Sequence, residues 1–160
     1  MNKYYSKKLS QINSDVNTKE VTNEQLVRII NSIKDILHRL SKNKIGIEIV
    51  DDIILDYENI FDELIGAGNE ISRMSDFYYS HSIPIDNESE VYVKTFDVIE
   101  KLNIIKRKAE YVINSPYIWE HNQAIYDFIS FVIGNMNEYI SILNDNITTY
   151  NHMKKRFSED

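Results

Sequence analysis

Asp52, Asp56, Asn59 and Glu63 recur at steps of three and four residues. On an α-helix that spacing lines them up on one side, where their oxygens could hold a divalent cation such as Mg2+. They belong to a denser acidic run that also contains Asp51, Glu58 and Asp62. Metal-assisted hydrolysis is the chemistry such a row could support, with carboxylates placing an ion that activates water. A second use needs no metal: an acidic row can occupy the basic surface of another protein, as a small inhibitor or immunity-type protein would. Val50, Ile53, Ile54, Tyr57, Ile60 and Phe61 form the apolar side of the same segment, so the acidic row faces away from the core.

Other catalytic arrangements find less support. All-α nucleotide pyrophosphohydrolases pair Glu-x-x-Glu on one helix with Glu-x-x-Asp on another. Here Glu48–Asp51 is the one Glu-x-x-Asp, and Glu-x-x-Glu is absent. A di-metal carboxylate bundle needs Glu-x-x-His on two helices; the nearest match is Asp35-x-x-His38, turned away from the apolar stripe of its segment. His38, His81, His121 and His152 are scattered. The arginine–histidine spacing of HEPN ribonucleases is missing, since seven residues separate Arg73 from His81. There is no cysteine, no Gly-x-Ser-x-Gly and no glycine-rich phosphate loop. The sequence predicts a non-catalytic protein without cofactor or metal.

A net charge of −7 argues against a nucleic-acid partner, which calls for a basic stripe. Lys94, Lys101 and Lys108 do repeat every seven residues, a candidate stripe for an anionic partner, but Asp97, Glu100 and Glu110 lie among them. The longest apolar run, AIYDFISFVIG, is interrupted by Asp127 and is far short of the ~20 residues of a membrane span. The expectation is a soluble, cytoplasmic protein. Abundant Ile and Asn, with alanine only at Ala67, Ala109 and Ala124, read as the codon bias of a low-GC bacterium, phage or virus.

The elements that position these residues are helices. Thr22 with Gln25, and Val21 with Leu26, mark the start of a first helix whose face is Leu26, Ile29, Ile30, Ile33, Ile36, Leu37 and Leu40. Gly46 separates it from a second, spanning about 47–79 and interrupted by Gly66 and Gly68, where a kink and a close helix approach are equally compatible with the sequence. Asn87 and Glu90 open a third, with Val91, Thr95 or Phe96, Ile99, Leu102, Ile105 or Lys106, Ala109, Val112 and Ile113 inward. Asn114-Ser115-Pro116 ends it and starts a fourth. The predicted fold is all-α: an antiparallel bundle of four long helices in one domain over 1–160, with residues 1–20 a flexible or docked segment that has room for a short helix.

The fourth helix, 116–153, holds the widest apolar arc and contains no lysine or arginine. Ile125, Ile129, Val132, Met136, Ile140, Leu143, Ile147 and Tyr150 make one row. Beside it lies a second row: Tyr126, Phe128, Phe131, Asn135, Tyr139, Ile142 and Asn146. An arc so wide must be covered from more than one side, by its own domain or by another copy. Asparagines within it suit a symmetric helix pair, where they can bond each other and set register. The sequence therefore points to an adaptor, chaperone or regulator that binds a protein partner and self-associates through this second row. The acidic inhibitor acting through Asp52, Asp56, Asn59 and Glu63 is the alternative, and a divergent metal-dependent hydrolase a more distant one.

Overall fold

The computed structural model describes residues 23–43, 45–80 and 88–158, with side chains over 31–43, 45–74 and 88–156. Every regular element among them is an α-helix: α1 (Asn23–Lys42), α2 (Glu48–Ser80), α3 (Glu88–Ile113), α4 (Pro116–Trp119) and α5 (Gln123–Ser158). The all-α bundle of four long helices predicted from the apolar spacing is the fold. The caps read at Thr22 and Asn87, and the segment 1–20, lie outside the described residues.

Local chemistry sets the helix ends. At the close of α1 the Asn43 N–H and its side-chain amide both donate to the Arg39 carbonyl, at 3.1 and 3.2 Å, satisfying an acceptor the helix itself leaves open. Gly46 then turns the chain at φ 90, a left-handed value that favours glycine. Asp51 reaches back from the first turn of α2, and its carboxylate accepts from the Ile45 and Gly46 N–H groups at 2.8 and 3.0 Å. Gly66 and Gly68 lie within the unbroken α2, with Ala67 fully buried between them.

The junction after α3 departs from the sequence reading. Pro116 opens only a single turn, α4, in which the Ser115 side chain makes no capping bond. The long helix restarts at Gln123, capped by Asn122, whose side-chain oxygen accepts from the Ala124 N–H at 3.2 Å. The predicted helix 116–153 is thus a short turn followed by a 36-residue helix. Trp119 closes the turn by donating from its indole N–H to the Ile113 carbonyl at 3.2 Å.

The described chain forms two compact units. The first joins the part up to Asn59 with Ile105–Met136; the second joins Ile60–Ile104 with the part from Asn137 onward. In the first, α1 contributes Ile36, Leu37 and Leu40, α2 contributes Ile53, Ile54 and Tyr57, and α5 contributes Phe128 and Ile129, all buried. In the second, Ile71 and Met74 of α2, Val91 of α3, and Ile147 and Tyr150 of α5 form a core cluster against which Tyr92 and Ile99 pack.

Candidate functional site

The acidic row of α2 and the lysine row of α3 meet each other. In the first unit Lys108 Nζ lies 2.8 Å from an Asp56 carboxylate oxygen. In the second, Lys101 reaches both oxygens of Glu63, at 3.2 and 3.3 Å, and Lys94 lies 3.1 Å from Glu70. Acids at 56, 63 and 70 repeat every seven residues, as do lysines at 94, 101 and 108, in opposite chain directions. That is the register of antiparallel helices whose flanking positions carry opposite charges. Glu63, with Asp97 beside it, raises the Lys101 ammonium above its usual pKa. Exposed ion pairs contribute little individually, but here they use both rows on each other.

Of the four residues of the acidic row, then, Asp56 and Glu63 face lysines, while Asp52 and Asn59 are exposed. Asp52 lines a cavity of about 350 Å³ with Ser41, Gly46, Glu48, Asp51 and Leu55. Asp51 already serves the turn through Ile45 and Gly46. No group of three or more His, Asp or Glu side chains among the described residues is placed to hold a metal ion. His38 contacts Glu58 at 2.7 Å, and the Ser41 hydroxyl and the His38 ring together hold the Glu58 carboxyl below the ordinary carboxylate range. His121 and His152 are exposed, and His81 lies outside the described residues.

The second row of α5 is divided between the units. In the first, Phe128, Phe131 and Asn135 are buried in the chain's own core. Asn135 donates from Nδ2 to the Tyr57 hydroxyl at 2.9 Å, so its partner is a tyrosine of α2 rather than an asparagine across a symmetry axis. Tyr126 is half-buried, its ring 4.7 Å from that of Trp119. In the second unit Tyr139 and Asn146 are half-buried, while Ile142 is 48% exposed.

A different apolar row points outward, on α3. Thr95 and Ile105 take the inward positions that the sequence left open. The Thr95 hydroxyl satisfies itself by donating to the Val91 carbonyl at 2.7 Å. That assignment turns Phe96 and its neighbours out: Val93 is 68% exposed, Phe96 53% and Ile104 39%. With Glu100 they step by three and four residues along the side of α3 opposite Val91, Val98, Leu102 and Ile105. Phe96 rests on Tyr92, ring centroids 6.5 Å apart. In the first unit Tyr111 and Tyr117 are also exposed and share a hydroxyl contact of 3.1 Å, which raises the Tyr117 pKa above its usual value.

The sequence reading missed this row because α3 has apolar residues on both sides. Its signal was present as the unresolved choice between Thr95 and Phe96. No protein family, no characterised protein and no solved structure matches the chain. No helix among the described residues is long and apolar enough to cross a membrane.

Proposed function

We propose that the chain is a non-catalytic helical module that works by binding protein, and that the outward row of α3 is its working face. The observation that carries this reading is the exposure of Val93, Phe96 and Ile104 at helical spacing on one side of one helix. Single exposed apolar residues are ordinary on a folded protein, whereas several aligned on one side of a helix, here with Glu100 among them, support the reading of an interaction surface. Aromatic residues at such a surface supply contact area with few rotamers to freeze.

The wide arc of α5, which the sequence reading chose for this role, has given Phe128, Phe131 and Asn135 to the chain's own core. Ile142 is the member of that row left exposed. The acidic-inhibitor reading keeps Asp52 and Asn59 and must compete with Lys101 and Lys108 for Glu63 and Asp56.

A photoreactive phenylalanine analogue at Val93 tests the proposal in an extract of the source cells. It should give one defined adduct, and Ile104→Asp should abolish that adduct. The same probe at Leu55, which is exposed on α2, should give none. No adduct at Val93, or equal labelling from both positions, contradicts the reading.

A further inference from the structure

Glu100 and Arg107 sit on the outer side of α3, seven residues apart, and both are exposed. Most charged side chains of this helix are engaged: Lys94, Lys101 and Lys108 with α2, Asp97 with Lys101, Lys106 with Glu110, and Glu88 with Lys154. Neither Glu100 nor Arg107 has an ion-pair partner among the described residues. From Val93, steps of three and four residues give the order Phe96, Glu100, Ile104, Arg107, Tyr111.

That order is its own complement when reversed. If a second α3 lies antiparallel with the two-fold axis beside Ile104, Glu100 faces Arg107 of the second copy and Arg107 faces its Glu100. Phe96 then meets Tyr111 of the second copy, and the two Ile104 side chains meet at the axis. A two-fold interface requires this property, because one patch must match itself. Parallel pairing would instead set Glu100 against Glu100 and Arg107 against Arg107, a repulsive arrangement.

We infer that the occupant of the outer row of α3 is a second copy of this chain, docked antiparallel and held in register by reciprocal Glu100–Arg107 pairs. The inference rests on the reading of that row as a binding face and names its partner. A single helix against its twin buries an area near or below the ~1,200 Å² limit of stable interfaces, so the dimer forms and dissociates with concentration.

The test is the molar mass of the full chain by light scattering, from micromolar to millimolar concentration. The mass should rise from monomer towards dimer. Glu100→Arg or Arg107→Glu alone should weaken association by about tenfold or more, since each places like charges at two symmetric sites. The two single variants mixed together, and the double variant E100R/R107E, should each restore it. Helix content and melting of the dilute variants should not change, because both side chains are exposed.

A chain that stays monomeric at millimolar concentration overturns the inference. So does a dimer whose affinity ignores the single swaps, or one that the double swap fails to restore. In a monomeric chain, a Val93 adduct to a different protein, or to residues 1–22 of the same chain, leaves the row a binding face with another occupant. A monomer without any adduct removes both readings.

Discussion

Helices α3 and α5 handle surplus apolar surface in different ways. α5 carries the wider arc, yet its first half buries Ala124, Ile125, Phe128, Ile129, Phe131, Val132 and Met136. α3 alternates apolar and charged residues and looks less demanding, yet it leaves Val93, Phe96 and Ile104 in water while burying Val98, Leu102 and Ile105. The width of an apolar arc measures how much cover a helix needs. It does not say whether the cover comes from the same chain. The number of neighbouring helices decides that, and only a row left without neighbours can bind something else.

The sharpest way to break this contrast is to cut the two sides of α3 separately. Leu102→Ala removes a fully buried side chain and should lower stability by about 3 kcal/mol. Ile104→Ala should change it by about 0.5 kcal/mol or less in dilute solution. Urea denaturation of both variants checks the difference; equal losses would mean that the outer row is packed after all.

The buried polar pair sharpens the α5 side of the comparison. Asn135→Ala removes the hydrogen bond that its amide donates to the Tyr57 hydroxyl in the core and should cost about 1–3 kcal/mol. Adding Tyr57→Phe should recover part of that loss, and a double-mutant cycle by denaturation reads the coupling. Independent, additive effects would contradict the bond between Asn135 and Tyr57.

A smaller effect concerns acid. The Lys154 ammonium and the Tyr150 hydroxyl hold the Glu88 carboxyl below its ordinary value of 4.5. A carboxylate whose folded pKa is depressed adds stability above its unfolded pKa, and that stability fades as pH falls through the lowered value. Tyr150→Phe combined with Lys154→Met should therefore reduce the melting temperature near neutral pH more than at about pH 3. Glu58, lowered by Ser41 and His38, follows the same sign. An equal drop at both pH values would point to lost packing instead.

Smallest is the ion-pair register between α2 and α3. Lys108→Ala should shift stability by about 0.5 kcal/mol, because both partners are more than a third exposed. The shift should shrink in high salt.

How much of this could be read from the chain depends on whether one helix or two decide the answer. The inward faces of α1, α2 and the early part of α5 follow from apolar spacing, since each has one dominant side. Periodicity does not choose between the two sides of α3: Thr95 and Phe96 are both plausible inward residues until α2 and α5 are in place. The start of α5 was hidden because apolar spacing continues past Asn122, although an asparagine is a common cap. Both charge rows were legible separately. Their mutual pairing was not, because spacing on one helix carries no information about which helix faces it.

The most direct test of the outer row compares two adjacent isoleucines. Ile104 and Ile105 are neighbours in sequence, but one is 39% exposed and the other 2%. Attenuation of their δ1-methyl NMR signals by a soluble nitroxide measures access to each. In dilute protein the Ile104 signal should be quenched and the Ile105 signal preserved; at high concentration Ile104 should become protected while Ile105 does not change. Protection of Ile104 equal to that of Ile105 in the dilute monomer, or quenching of Ile104 that persists at every concentration, would contradict the account.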